Sequence, residues 1–213
     1  MKINSPAQAR WATFTLFLLH GTMVGSWVPH IPLAKERLDV GPAVFGLALL
    51  AIAAGAVTAM PLTGAMINRY GSARVALVAG ILFCLAFTGP VVSPTLLPFV
   101  ITGYLLGAFI GSMDVAMNAH GIAVERALKS PIMSMLHGGF SIGGMIGAFL
   151  GAWALKYVGE FSHIALAGAA CLVLLLVSAQ FLLPRTIDKG LSDTHFGWPT
   201  KATIGLEIGR AHV

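Results

Sequence analysis

Residues 99–124 read FVITGYLLGAFIGSMDVAMNAHGIAV, an apolar block with a single carboxylate, Asp114, near its middle. About 20 apolar residues suffice to carry a helix across the hydrocarbon layer of a bilayer. Lipid offers no partner to backbone N–H and C=O groups, so a block of this length is helical by default. An ionisable group at that depth is costly, and its presence points to a function. No other acid falls inside a long apolar block of this chain.

Working outward, the block extends back to Leu96, and five more blocks share its character: residues 11–31, 43–67, 75–92, 132–157 and 163–183. The third is short and bounded by Pro90 and Pro94. The fourth and fifth exceed a perpendicular span, which implies tilt or extension beyond the bilayer. Six spans over residues 1–184 make this an all-α membrane protein. Composition agrees, with 57% hydrophobic and 10% charged residues and a mean hydropathy of +0.85. Soluble domains carry about 25% charged residues. Lys2 and Arg10 precede an apolar run as in a signal peptide, but no small-residue cleavage site follows, so the first block reads as an uncleaved helix.

The formal charge of +5 does not form a nucleic-acid face, because the basic residues sit between the blocks. With six spans, Lys2, Arg10, Arg69, Arg74, Arg126, Lys129, Arg185, Lys189, Lys201 and Arg210 share one side, leaving Lys35, Arg37 and Lys156 on the other. That asymmetry predicts cytoplasmic termini. Cys84 and Cys171 both lie in apolar runs, as buried thiols rather than a disulfide framework.

Glycines recur every four residues, at Gly103, Gly107 and Gly111 in the fourth span and at Gly139, Gly143, Gly147 and Gly151 in the fifth. Small residues so spaced let helix backbones approach closely. Asp114, three residues after Gly111 and seven after Gly107, is expected on their face, toward the bundle interior, with Asn118 one turn on. Desolvation disfavours the charged form of a carboxyl, so such an acid can load a proton on one side and release it on the other. The structural alternative is an acid held permanently by His120, His137 or Asn118.

Between the second and third spans runs GAMINRYGSAR, from Gly64 to Arg74. It resembles the signature loop of the major facilitator superfamily of transporters: glycine, an acid–arginine pair, glycine, then basic residues. The resemblance implies that Gly64 permits close helix contact. It also implies that Asn68, Arg69, Gly71 and Arg74 belong to a cytoplasmic gate held by a charge network. Asn68 departs from the pattern, standing where the family usually has aspartate. The stretches GSMDVAMNA (111–119) and LHGGFSIG (136–143) are similar to the fourth and fifth helices of the fucose and glucose/galactose permease branch. There the usual asparagine–proline pair is Asn118-Ala119 here, and His137 and Ser141 replace other polar residues. The branch implies a proton-coupling or substrate-contacting role for Asp114, with Asn118, His137, His20 and Trp27 as further candidates. Trp27 is either a sugar-stacking ring or an interfacial belt residue. His30 and His163 are expected near the outer boundary, His30 as a surface residue rather than a site. His20 and His137 have no ligand cluster at metal-binding spacing, and no cofactor is implied.

The family implies two three-helix inverted repeats per six-helix half, and two halves around a central site. This chain supplies the amino-terminal half, so its expected partners are a small solute, protons, the lipid bilayer and a carboxy-terminal six-helix half, in a bacterial inner membrane. Residues 185–206 read as a cytoplasmic linker and the start of a seventh span. Residues 207–213 resemble the translation of a common sequencing adapter, as in a truncated reading frame. The competing functions are drug or amphiphile efflux and a non-transporting membrane interaction protein. An intramembrane enzyme lacks a nucleophile–base pair.

Overall fold

The computed structural model describes residues 5–188, all of them helical or in short connections. The expectations for a linker beyond Asp188 and for residues 207–213 lie outside the described residues. The helices are α1 (Pro6–Trp27), α2 (His30–Leu38), α3 (Pro42–Tyr70), α4 (Ser72–Ala86), α5 (Thr88–Val92), α6 (Leu96–Leu128), α7 (Met133–Tyr157) and α8 (Glu160–Ala179), and a 3-10 turn covers Arg185–Asp188.

Five of these stretches are long and apolar enough to cross a membrane: α3, α4 with α5, α6, α7 and α8. α1 has the length, 22 residues, but carries Gln8, Arg10, His20 and several hydroxyls, and it packs among α6, α7 and α8. With α1, the bundle has six long helices. Their boundaries differ from the apolar blocks for local reasons. α1 stops at Trp27, because Pro29 has no N–H with which to continue the helical ladder, and the chain starts α2 at His30. The third span breaks at Phe87, where Pro90 cannot donate to the carbonyl four residues back. α6, at 33 residues, is about 50 Å long and overshoots the hydrocarbon layer.

The contacts have an internal symmetry. α1 packs mainly on α7, and α3 on α6; α4 touches both α6 and α8, and α1 touches both α6 and α8. Exchanging the triplet α1–α3–α4 for α6–α7–α8 leaves this pattern unchanged, as two three-helix repeats require. Both principal seams are glycine seams. A Cβ on Gly21, Gly25, Gly143 or Gly147 would collide with backbone across the α1–α7 contact, and one on Gly55 or Gly107 would do so between α3 and α6. At Gly111 it would meet the Ala56 Cα at 2.8 Å. Gly139 is filled instead by the Phe14 ring at 2.6 Å, Gly151 faces His163 and Pro29, and Gly103 meets only the Ile52 side chain.

Gly64 corrects the sequence reading. No described atom lies within 4 Å of the place its Cβ would occupy, so it makes no close helix contact within this bundle. The two kinds of glycine therefore separate on substitution. Gly143→Ala or Gly107→Ala should destabilise the bundle by about 1–3 kcal/mol through overpacking. Gly64→Ala should be neutral or stabilising by up to about 1 kcal/mol, because alanine is the better helix former. Thermal unfolding of the detergent-solubilised variants measures both.

Candidate functional site

Asp114 projects from α6 toward α1, where His20 Nδ1 stands 4.0 Å from its Oδ1. Its environment is uneven: the carboxylate side chain is 47% exposed, His20 only 2%. The glycine face of α6 is filled by α3, so Asp114 lies at the edge of that face rather than sealed inside, because α1 covers it on one side only. Asn118, one turn on, holds the group from below: its Nδ2 donates to the Asp114 carbonyl at 2.9 Å and reaches Oδ1 at 3.3 Å. Of the three groups expected to pair with the acid, Asn118 does so. His120 instead turns to Ser72.

His20 is unusual. Both ring nitrogens are buried and have no hydrogen-bond partner among the described residues, between the edges of Phe83 (5.5 Å, 86°) and Phe140 (5.6 Å, 72°). The small cavity beside it, lined by Met23, Cys84, Met113 and Cys171 among others, has a volume of about 10 Å³. That holds one water at most. His137 lies exposed on α7; its Nδ1–H donates to the Met133 carbonyl at 2.9 Å, its ring meets Phe17 edge-on at 5.3 Å, and Ser141 Oγ donates to its carbonyl at 3.2 Å. Among the described residues, no group of three His, Cys, Asp or Glu side chains gathers as a metal site.

Trp27 is neither an open platform nor a belt residue. It is 7% exposed and packs against His30, Phe87 and Phe99. His30 is fully buried, contrary to its expected surface position, because a polar cluster satisfies it. Its Nε2 lies 2.9 Å from His163 Nδ1, with the two rings stacked at 6°. Its Nδ1 faces Glu160 at 3.5 Å, and Arg37 reaches the same carboxylate at 3.4 Å. The cluster ties α2 to the start of α8.

The signature residues form a one-residue turn rather than a loop. Asn68 and Arg69 belong to the last turn of α3, Ser72 opens α4, and only Gly71 lies between, at φ +91°, where a side chain would be strained. Among the described residues, neither Arg69 nor Arg74 reaches a carboxylate within 4 Å. Arg69 lies over the ring of Tyr70 at 5.3 Å. The expected charge network is therefore not made by these arginines inside the half. Partners come instead from far along the chain: Arg185 Nη2 donates to the Asn68 carbonyl at 2.8 Å, and Asp188 accepts from Ser72. The sequence carried no signal for these contacts, since residues more than a hundred positions apart meet there.

Comparison with known proteins agrees with this architecture. The family profile for the Major Facilitator Superfamily matches residues 12–204. The chain belongs to that superfamily. An uncharacterized MFS-type transporter of Yersinia pestis is 34% identical over 186 residues, covering 87% of this chain and 47% of its own length. Membrane protein MosC of Rhizobium meliloti is 30% identical over 179 residues, covering 84% and 43%. The multi-drug resistance efflux pump PmrA of Streptococcus pneumoniae is 24% identical over 185 residues, covering 85% and 46%. The chain thus spans about half the length of the curated relatives it matches.

The imidazole pair of this superfamily member offers a direct check on the cluster that joins α2 to α8. His30→Ala leaves the buried His163 Nδ1 unsatisfied, at a cost of about 1–3 kcal/mol. A double-mutant cycle with His163→Ala, read by thermal unfolding, should give a coupling of about 0.5–3 kcal/mol. Additive losses would show that the two rings stabilise independently.

Proposed function

We propose that this chain is the amino-terminal six-helix half of a proton-coupled secondary transporter of a small polar solute, sugar-like in class, in a bacterial inner membrane with its termini cytoplasmic. The observation that carries the reading is the uneven setting of Asp114: an intramembrane acid, half-open on one side, with an unpaired buried imidazole at 4.0 Å on the other. A carboxyl so placed can exchange protons with an aqueous cavity. His20 sits within electrostatic reach, and Asn118 fixes the carboxyl's orientation. Because the solute is not enclosed by this half, Asp114, Asn118 and the exposed His137 belong to the face that a second six-helix half covers. The sugar-like class rests on the likeness of residues 111–119 and 136–143 to one permease branch.

PmrA supports a second reading. A multidrug efflux pump is among the relatives, at 24% identity, and a proton-binding acid serves antiport as well as symport. The two differ in the direction in which a proton gradient moves the solute.

The test uses a chain carrying both halves, in proteoliposomes. An imposed pH gradient should drive accumulation of a labelled sugar from a panel. Asp114→Asn should abolish that accumulation while leaving solute–solute counterflow measurable, because exchange needs no net proton movement. Gradient-driven accumulation unchanged in Asp114→Asn would remove the acid from coupling. Gradient-driven expulsion of a lipophilic cation such as ethidium, with no sugar uptake, would favour the efflux reading.

A further inference from the structure

The turn between α3 and α4 is gripped at both ends by Arg185 and Asp188, the first and last residues of the 3-10 turn that follows α8. Arg185 places its guanidinium on the Asn68 carbonyl, at the carboxy-terminal end of α3, 2.8 Å away. Asp188 takes the Ser72 N–H at 2.9 Å through Oδ2 and the Ser72 hydroxyl at 2.6 Å through Oδ1. A cation at a helix carboxy-terminus and an anion at a helix amino-terminus are the signs that both helix dipoles favour. Gly71, the residue before α4, has no side chain with which to cap it, and no side-chain cap is made locally. Arg185 and Asp188 also close over Gly71, where a Cβ would lie 2.9 Å from the Arg185 side chain and 3.1 Å from the carboxylate.

Hydrogen-bond direction extends the grip into α6. Ser72 has one hydroxyl proton, and an ionised carboxylate can only accept, so that proton goes to Asp188. The bond of 2.9 Å between Ser72 Oγ and His120 Nδ1 then requires the imidazole to donate, which fixes its proton on Nδ1. The chain runs His120 Nδ1–H to Ser72 Oγ–H to Asp188, each donor polarising the next. Ser72 and His120 are both fully buried, so water cannot replace either partner.

We infer that Asp188 is a positioning residue for the signature turn. It supplies from the start of the post-bundle segment the anion that the turn lacks at Asn68, and with Arg185 it fixes α3, α4 and α6 to one another. The assignment of a gating role to that turn rests on the transporter reading above; the grip itself does not. Because the anchor lies in the 3-10 turn Arg185–Asp188, separation of that turn from α4 releases the signature turn.

Hydrogen exchange on the purified full chain tests this without a solute. Asp188→Ala should speed exchange of the amides at residues 71–75 by about tenfold or more, the loss expected for a hydrogen bond to a charged group. Amides in the α1–α7 glycine seam should be unchanged. Asp188→Glu should restore most of the protection, whereas Asp188→Asn, with one neutral acceptor, should restore less. Ser72→Ala, which keeps the backbone contact and cuts the chain to His120, should lie between wild type and Asp188→Ala. Wild-type protection at residues 71–75 in Asp188→Ala would overturn the inference. So would a uniform rise across the bundle, or equal protection by Asn and Glu. Because these readouts need no transport, a failure of the Asp114→Asn experiment leaves them standing, and the reverse also holds.

Discussion

Close backbone approach along two glycine seams is the constraint on which the rest of this bundle depends. Inside a bilayer no hydrophobic force drives helices together, since lipid tails are as apolar as leucine, and dispersion between well-fitted surfaces must hold them. Gly143 and Gly147 bring α7 onto α1, and that contact carries Phe140 to the ring of His20. Gly107 and Gly111 bring α6 onto α3, and the same helix then presents Asp114 to α1. The carboxylate meets the imidazole because both seams are tight at once. A residue with a side chain in either seam would push the helices apart, since its Cβ would fall on opposing backbone, and so would shift one partner relative to the other.

The seams also explain why a costly group is tolerated. An acid sealed at this depth would need a full set of hydrogen bonds. Among the described residues Asp114 is hydrogen-bonded by Asn118 and faces the His20 imidazole at 4.0 Å, and it remains half-open. It is therefore suited to a site that exchanges with water from time to time rather than to a permanent structural pair. His20 completes the contrast: it is buried among rings with no partner for either nitrogen, which a purely structural histidine seldom is. His30, equally buried, has both nitrogens engaged by His163 and Glu160. Two histidines ten residues apart, His20 in α1 and His30 at the start of α2, thus have opposite environments, and only the first faces the intramembrane acid.

The sequence made some of this legible. Six helices follow from apolar length, and the α7 glycine seam follows from a four-residue period that the structure uses. The expectation that Asp114 shares the glycine face was half right, because helical phase places a residue on a face but does not say which neighbour covers that face. Gly21, Gly25 and Gly55 were missed, since one four-residue step in α1 and one isolated glycine in α3 are too short to stand out as a period. Trp27 was misread because its end-of-span position is equally compatible with a lipid boundary and with an internal aromatic cluster. The grip of Arg185 and Asp188 was beyond reach, as it depends on where α8 ends in space.

Asn68 shows how the two levels inform each other. On the sequence alone, an amide where the family pattern has an acid weakens the turn. In the structure the nearby anion comes from Asp188, and it arrives with two hydrogen bonds to the first residue of α4 instead of a charge on the last turn of α3. An acid at position 68 is fixed to the helix it terminates and stays with the turn in every conformation of the bundle. An acid at position 188 is fixed to the turn only while the post-bundle segment lies against it. Moving the charge from the helix to the 3-10 turn therefore changes what the charge depends on: it makes the alignment of α3 and α4 conditional on the seating of Arg185–Asp188 against them.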